Sequence, residues 1–548
     1  MRPILTAAQM KACDTYTIET LNVPSRTLME RAARKAAEVL TVRTDLFPAG
    51  KVLLLCGSGN NGGDGFSMAR FLTDGSLGTR RETAVRTTAV VYTGHFTEAG
   101  TPDTTRMSVE CRRQYDLAVE AGVEILPMSS LQEALQGTVA VVDAIFGIGL
   151  DRPVTGGIAD LLASVAAAHL PVLAVDIPSG IHADTGDVMG VALPAALTVT
   201  MQALKAGLLL YPGADFGGEI VVAELGISLT PIENPFARLA DESLLRRALP
   251  PRLRRTHKGT YGRTVLLCGS EGMSGAAVLA TRAALRSGAG LVEVLTPEAN
   301  RTVLQTTVPE AIVTVRDTID AIMKATRTAD GMVLGCGLGV ASESKEALRT
   351  VLNTLPADGS VPIVLDADGL NLLASDGTLW ETALLSSPAK RVVITPHPAE
   401  MARLCGLSVT AILSRLPEVA SNFAREKGIT VVLKDAHTVV ASPDGLPGGL
   451  SNGGVYICTA GNAGLSKGGS GDVLAGIIGA LLTQNRGRLG RDLTVAEVAA
   501  AGVHLHARAG DMAAGDLGEY GMLATDVIER IPLVCKGFSD SRTFLCEI

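Results

Sequence analysis

KVLLLCGSGNNGGDGFSMARFL, residues 51–72, decides the fold class. An unbroken apolar run, Val52 to Cys56, gives way to a glycine-rich turn and then to a helical pattern, FSMARFL. A strand that reads as continuously apolar belongs to a sheet covered on both faces, and a strand feeding a helix through glycines is the start of a crossover unit. Working outward, the same grammar recurs in TAVVYTG (88–94), AVVDAIFG (140–147), PVLAVDIP (171–178) and LTVTM (197–201), each closed by a glycine-rich or polar turn. Intervals of roughly 30 residues leave room for a crossover helix between strands, which makes the sheet parallel.

The whole chain agrees with that reading. Its 548 residues exceed one ordinary core, so two domains are expected. It is 47% hydrophobic but only 3% aromatic, with 60 glycines, the habit of parallel α/β sheets built from Ala, Val, Leu and Ile. Lys and Arg total 48 against 56 Asp and Glu, for a net charge of -8, and no long basic run interrupts the balance, so a nucleic-acid partner has no electrostatic support. The nine cysteines are scattered without a C-x-x-C pair, and Cys56, Cys268 and Cys336 fall in apolar runs; they read as reduced core residues of a cytoplasmic protein. The first twenty residues hold no continuous apolar stretch, and no run is long enough to span a bilayer, so neither a secretory signal nor a membrane partner is expected.

Between about 225 and 262 the pattern lapses into a proline- and arginine-rich stretch. The expected division is a first domain over 1–228, a linker over 229–262 and a second domain over 263–548. The second series of elements begins with TVLLCGS (264–270), continues through the small-residue helix SGAAVLATRAALRSG and five further strand-like runs, and ends in a long Ala- and Gly-rich helical region from about 470.

Three strand ends of the first half converge on one crevice. Glycines in GSGNNGGDG let the backbone approach a phosphate beneath a helix N-terminus, although the spacing is not the dinucleotide G-x-G-x-x-G. Asn60, Asn61 and Asp64 add side-chain oxygens suited to a ribose, an amide or a hard cation; the plain alternative is a tight turn capped by Asn and Asp. Asp143, in a buried strand before a second glycine loop, and Asp176 and Ser179, at the next strand end, place carboxylates where burial is costly unless something is bound. GNNGGDG, D-x-x-F-G-x-G-x-x-R-P and V-D-I-P-S-G together resemble the NAD(P)H-hydrate epimerase family, a Rossmann-like fold also called the YjeF N-terminal domain. The resemblance implies that Asn60, Asn61, Gly62, Gly63 and Asp64, with Gly147, Ile148, Gly149, Leu150, Asp151, Arg152 and Pro153, hold the hydrated dinucleotide. It further implies that Asn61, Asp143 and Ser179 ligate K⁺, and that Asp176 is the acid–base group at the substrate. Lys205 reads as structural or as steering an anion.

CTAGNAGLSKGGSGDVLAGIIGALL (458–482) carries the second site. Gly468, Gly469, Ser470 and Gly471 precede Asp472 and a small-residue helix, so backbone N–H groups point at an anion beside one carboxylate. That pairing suits phosphoryl transfer, with the loop stabilising charge and Asp472 taking a proton from the attacking hydroxyl; the plain alternative makes Asp472 a helix N-cap. With VLDADGLN (364–371), ITPHPAEMARL (394–404), VVLKDAHTVV (431–440), GSEGMSGAAVLA (269–280) and GCGLG (335–339), the region resembles the ribokinase-like superfamily and, within it, ADP- or ATP-dependent NAD(P)H-hydrate dehydratases. The resemblance implies contacts of Ala276, Gly339, His397 and Asp472 with the hydrate. It implies contacts of Lys434, Asp435, Ala436, His437, Thr438 and Gly471 with the adenine nucleotide. Asp435 departs from the family's K-G-x-x-T, and Lys467 and Ser470 from T-G-G-T-G-D, which bears on nucleotide preference. His504 and His506, two apart on a helix, point to different faces and read as core or surface rather than as a metal pair.

The expectation is therefore an α/β protein of two domains, a Rossmann-like three-layer sandwich followed by a ribokinase-like parallel-sheet sandwich. Its expected activity is the epimerisation of R- and S-NAD(P)H hydrates and dehydration of the S form, using Mg²⁺ with ADP, or else ATP. Asp472 is the expected base and Gly468–Gly471 the anion hole. A homo-oligomer is expected, although the Ala- and Gly-rich helices suit packing within one subunit as well as between subunits. The rival reading is a vitamin-precursor kinase carrying a non-catalytic nucleotide-binding module, and retention of Asp64, Asp143 and Asp176 speaks for a working first site.

Overall fold

The computed structural model describes residues 1–77, 87–250, 252, 254–385, 391–443 and 454–539. The chain divides into two compact units, Arg2–Phe236 and, apart from Met1, Ala237 onward.

In the first unit seven strands form one sheet: β1 (Lys51–Cys56), β2 (Thr87–Tyr92), β3 (Glu124–Pro127), β4 (Thr138–Ala144), β5 (Val172–Val175), β6 (Leu197–Met201) and β7 (Glu219–Ala223). Their spatial order is 3-2-1-4-5-6-7, and every neighbouring pair is parallel. Alternation sorts the side chains. Val52, Leu54, Cys56, Val90, Val142 and Ala144 join one core with the helices Ser25–Val42 and Asn60–Thr73, while Leu53, Leu55, Val91 and Val141 join another with Leu161, Leu162 and Val165 of the helix Gly157–Ala167. Two cores on opposite faces of one sheet make three layers. The order reverses between β1 and β4, so the crevice at their carboxyl ends is the ligand position of such a sheet. The sequence reading supplied β1, β2, β4, β5 and β6; β3 and β7 lie at the two edges.

The second unit's sheet runs through β8 (Ala237–Leu239), β9 (Arg263–Leu267), β10 (Leu291–Thr296), β11 (Ile312–Val315), β12 (Gly331–Leu334), β13 (Ile363–Leu365), β14 (Val392–Ile394), β15 (Thr430–Leu433), β16 (Thr438–Ala441) and β17 (Val455–Cys458). These ten lie in the order 11-10-9-12-13-14-15-16-17-8. Only β16 runs against its neighbours. One face packs on Ser274–Arg286, Ser470–Asn485 and Val495–Gly521, whose alanines and glycines let helix and sheet approach closely. The helix Leu416–Lys427 covers part of the other face, over β15 and β16.

The stretch 229–262 is not uniform linker. Ala237–Leu239 pairs with Tyr456 and Ile457 of β17, and the helix Glu242–Ala248 buries Leu244, Leu245 and Ala248 in the second unit's core, so both belong to that unit. Proline and arginine clustering hid a helix whose N-cap, Asp241, accepts from the backbone of Ser243 and Leu244. Pro251 and Leu253 of the expected linker, and 540–548 of the expected second domain, lie outside the described residues. Among the described residues all eight cysteines are free, and no helix is long and apolar enough to cross a membrane.

Candidate active sites

The helix after β1 starts at Asn60, not at Phe66, so GNNGGDG is itself helical. Its glycines provide clearance more than flexibility. A Cβ on Gly62 would lie 1.9 Å from the carbonyl oxygen of Gly57, and one on Gly65 would lie 2.6 Å from Cys56 Sγ. The helix thus sits hard against the end of β1, with Gly62 and Gly63 buried and Asn60, Asn61 and Asp64 turned toward a cavity of about 730 Å³.

That cavity is lined by Gly147–Leu150 after β4, by Asp176 after β5, by Lys205, and by Lys11 and Asp14 of the helix Ala7–Thr15. Asp151, Arg152 and Pro153 are exposed and stand outside this lining. Lys205 is 0% exposed and donates to Asp176 Oδ1 at 2.6 Å, to Thr200 Oγ1 at 3.0 Å and to the Met201 carbonyl at 2.7 Å. Met201 N–H also reaches Asp176 Oδ1, at 3.2 Å. Asp176 itself has φ +69, one of five non-glycine residues in the left-handed region among those described. Such strain at a ligand crevice is held only where surroundings over-determine it, and here an ammonium and a backbone amide do so.

Asp143 lies one layer deeper and is 0% exposed. Its Oδ1 accepts from Ser179 Oγ (2.6 Å) and Ile145 N (3.3 Å), and its Oδ2 from Ser179 N (2.7 Å). Burial pushes the carboxyl up to about 6 in spite of those bonds, because every partner is neutral. Asn61 Nδ2 donates to the Phe146 carbonyl, and Ser179 Oγ accepts from Phe146 N. Asn61, Asp143 and Ser179 are thus tied to one short corner, 143–146. A fully buried carboxylate with no cationic side chain bonded to it among the described residues, beside a hydroxyl and an amide, is a donor set that fits a hard monovalent cation.

Burial pushes Asp64 well above the usual carboxylate range, with Asp176 and Asp14 adding to the rise. Burial likewise raises Asp14 to about 6, opposed by Lys205 and reinforced by Asp176. Asp14 belongs to no glycine motif, and sequence reasoning passed over it.

The second site lies at the carboxyl ends of β9, β12, β13, β14 and β15. Gly469, at φ +95, caps the helix Ser470–Asn485, so Asp472 stands in its first turn and is not the N-cap. Burial and the neighbouring Asp366 and Asp368 push Asp472 up to about 6, against a hydrogen bond with the Cys336 thiol and the more distant Lys434. Lys434 is engaged elsewhere: its Nζ is 2.8 Å from Asp366 Oδ1 and 3.9 Å from Glu400 Oε2. Burial would lower the ammonium's affinity for its proton, but those two carboxylates outweigh it and hold Lys434 above its usual value.

His397 opens the helix Pro398–Cys405. Its Nδ1 accepts from the Ala399 and Glu400 amides (3.1 and 3.4 Å), leaving Nε2 to carry the proton, 3.5 Å from Glu400 Oε1. Gly339 N–H is occupied by Asp368 Oδ2 at 2.8 Å, and Ala276 packs against the Gly337 turn. A Cβ on Gly471 would lie 3.4 Å from both Asp366 Oδ2 and Lys434 Nζ. His397, Lys434, Gly471 and Asp472 are therefore linked through Cys336, Asp366 and Glu400, and Ala276 lies at the neighbouring Gly337 turn. Asp435, Ala436 and His437 form the turn between β15 and β16, and Thr438, which opens β16, donates its Oγ1 to the Asp435 carbonyl. Lys467 turns away, its Nζ donating to the carbonyls of Tyr520 and Met522. His504 and His506 are both buried. Burial beside Lys434 pushes His506 down to about 4, and a hydrogen bond ties it to the Ser470 backbone at the glycine loop. No group of three His, Cys, Asp or Glu among the described residues is arranged to hold a metal.

Comparison with known proteins bears on both sites. A family model described as NAD(P)H-hydrate dehydratase matches residues 264–533, and one described as YjeF-related protein N-terminus matches residues 25–207. The bifunctional NAD(P)H-hydrate repair enzyme Nnr of Moorella thermoacetica is 35% identical over 98% of this chain and 97% of its own length. The chain belongs to the family of bifunctional NAD(P)H-hydrate repair enzymes. The Escherichia coli member is 36% identical over 94% of this chain and 90% of its own. A solved ADP/ATP-dependent NAD(P)H-hydrate dehydratase from Bacillus subtilis, co-crystallised with ATP/Mg²⁺, covers 55% of this chain and 99% of that one at 29% identity, with a TM-score of 0.45. Membership in this family sets aside the vitamin-precursor kinase.

The sequence reading missed Asp366, Glu400 and Cys336 at the second site as well as Asp14 at the first. Asp366 and Glu400 sit within motifs already singled out, VLDADGLN and TPHPAE, and only the position of Lys434 reveals their work.

Proposed function

We propose that the first unit interconverts the C6 epimers of hydrated NADH and NADPH, and that the second dehydrates the S epimer at the expense of a Mg²⁺–adenine nucleotide, with ADP as the donor. The observation that carries the reading is a pair of sites at the carboxyl ends of parallel strands, each gathering aspartates beside a lysine, in a chain whose family is named for NAD(P)H-hydrate repair by two activities.

In the first crevice the hydrate lies against Asn60, Asn61, Asp64 and Gly147–Leu150, and Asp176 exchanges a proton with the C6 hydroxyl. Lys205 fixes the orientation of Asp176 and balances its charge. Asn61, Asp143 and Ser179 are the residues that would hold K⁺, which would neutralise the buried Asp143 and stiffen the corner that carries Gly147. In the second crevice Asp472 accepts the proton of the C6 hydroxyl as its oxygen attacks the terminal phosphoryl group. The N–H groups of Gly468–Gly471 face the charge that builds there. Phosphorylation replaces hydroxide by phosphate as the leaving group, and loss of a C5 proton with that phosphate restores the conjugated ring. Lys434 orients Asp366 and Glu400 around this centre, and the turn at Asp435–Thr438 receives the nucleotide.

Absorbance at 340 nm tests both halves at once, with mixed R and S NADH hydrate, Mg²⁺, and ADP, ATP or neither. Full nucleotide-dependent recovery, faster with ADP, is expected. Recovery stopping at the S fraction removes the first assignment, and none with either nucleotide removes the second.

A further inference from the structure

The cavity of the first unit holds more acid–base capacity than one carboxylate accounts for. Asp14, Asp64 and Asp176 all line it, reaching in from three separate elements: the helix Ala7–Thr15, the helix Asn60–Thr73 and the end of β5. Only Asp176 is clamped, by Lys205 and by Met201 N–H. No group among the described residues hydrogen-bonds the carboxyl of Asp14, although the backbone carrying it is held firmly. Ala7 N–H donates to Asp184 Oδ1 at 2.6 Å, Gln9 Nε2 to the Asn234 carbonyl at 2.8 Å, and Ser228 N–H to Thr17 Oγ1 at 2.9 Å. A fixed backbone presenting an unbonded, half-buried carboxyl to a ligand cavity is an arrangement for transferring a proton.

We infer that Asp14 is the second acid–base group of the epimerisation, acting from one side of the C6 carbon while Asp176 acts from the other. This rests on the reading of the cavity as the hydrate's epimerisation site. C6 of the hydrate bears a hydroxyl next to a ring nitrogen, so its C–O bond breaks with help from that nitrogen's lone pair. The carboxyl of one aspartate gives its proton to the departing hydroxyl, the C6–O bond breaks, and water leaves a planar N1=C6 iminium. A water molecule then adds to the opposite face, the new C6–O bond forms, and its surplus proton passes to the other aspartate. One water is released and one consumed, no electron is exchanged with an outside partner, and the two carboxyls end with their proton interchanged, ready for the reverse direction. The logic matches two-carboxylate hydrolysis at an acetal carbon, where one group serves the leaving oxygen and the other the entering water.

The test uses the full chain with R-NADH hydrate, ADP and Mg²⁺ and reads NADH at 340 nm. S-NADH hydrate runs in parallel, since it needs only the second unit. Asp14→Asn is expected to lower kcat on the R epimer by about 10²–10³-fold, with KM changed less than about threefold and S-epimer turnover unchanged. Asp14→Glu is expected to restore at least a tenth of the loss. The charged and titratable groups around Asp14 are Lys205, Asp176 and Asp64 in the same cavity lining and Lys11 and Cys13 on its own helix. In the direction in which Asp14 donates, kcat falls as pH rises through about 6, and Asp14→Asn abolishes that limb. An R-epimer kcat within threefold of the parent, a loss confined to KM, or a limb that survives the substitution overturns the inference. Asp176→Asn separates the two levels. If it leaves R-epimer turnover intact, the reading of the cavity itself fails; if it is inactive while Asp14→Asn is not, only the role of Asp14 falls.

Discussion

The two crevices solve the same problem in opposite ways. Each holds an aspartate at the end of a parallel strand or in the first turn of the helix beyond, and each holds a non-glycine residue in the left-handed region beside it, Asp176 itself in the first and Ala367 in the second. In the first crevice the buried ammonium of Lys205 is committed to Asp176 at 2.6 Å. In the second the nearest ammonium, Lys434, is committed to Asp366 at 2.8 Å, and Asp472 is left to a thiol and two like charges. The difference suits the two roles proposed for these carboxylates. A carboxylate that exchanges protons reversibly with a hemiaminal can be held by a cation without losing function. One that must strip a proton from an alcohol gains from a poorly solvated, uncompensated charge, which makes it a stronger base.

The largest effect that would break this contrast comes from removing the Asp472 carboxylate. Asp472→Asn is expected to lower nucleotide-dependent recovery from S-NADH hydrate by at least about 10³-fold while R-to-S epimerisation continues, read by chiral separation of the hydrates. In the parent the dehydration rate falls as pH drops through about 6, because the carboxylate then gains the proton that disables it. The residual rate of the variant is expected to lack that limb. A pH-independent parent would mean that Asp472 is not the group taking the proton.

Lys205→Met tests the clamp. Removing one partner of a buried ion pair strands the other, and about 3–5 kcal/mol of stability is expected to go from the first unit, with its epimerase activity, while S-epimer turnover persists. A first unit that melts within about 1 kcal/mol of the parent would show that Asp176 does not depend on the ammonium.

The glycines of the two loops sharpen the comparison at lower energy. A Cβ on Gly62 would sit 1.9 Å from the Gly57 carbonyl, so Gly62→Ala is expected to destabilise the first unit by about 3 kcal/mol. Around Gly468 nothing lies within 4 Å of the added atom, and Gly468→Ala is expected to stay within about 0.5 kcal/mol in chemical denaturation. Equal costs would remove the distinction between glycines that allow packing and a glycine that leaves a loop open.

That distinction also marks where the sequence stopped being legible. Apolar runs and turn residues announced the order of the elements and both crevices, because strand periodicity and glycine turns are local properties. GNNGGDG reads as a loop approaching phosphate, yet its glycines are there because the helix presses on β1 and its neighbour, a contact set by distant residues such as Ala144, which a Cβ on Gly65 would meet at 2.7 Å. Asp14 was invisible for the same reason. It sits in an ordinary helical stretch, and its significance arises only from sharing a cavity lining with Asp176 and Lys205. Lys205 was noticed, but its choice of partner depends on the strained turn at Asp176, which no pattern in LTVTMQALKAG reveals.

The stability of Asp472→Asn is the most discriminating, because a gain is expected. Moving a carboxyl from 3.8 to about 6 means that the fold disfavours its charged form by about 3 kcal/mol, at ~1.4 kcal/mol per pH unit. Partial solvent access to Asp472 reduces what reaches stability to about 1–3 kcal/mol. Because the folded-state value is raised above the unfolded one, the group favours folding fully only below the unfolded value, and that advantage is lost as pH rises through about 6. Asp472→Asn, which never ionises, is therefore expected to stabilise the second unit at pH 8 and to lose this advantage toward pH 4. The difference between variant and parent in chemical denaturation, followed through Trp380 fluorescence, isolates this one group from all others that titrate. Asp176→Asn provides the opposite sign, since it leaves Lys205 buried without its partner and destabilises the first unit across the same range. A parent that outlasts Asp472→Asn at pH 8 would mean that Asp472 is compensated after all, and that the two crevices hold their aspartates alike.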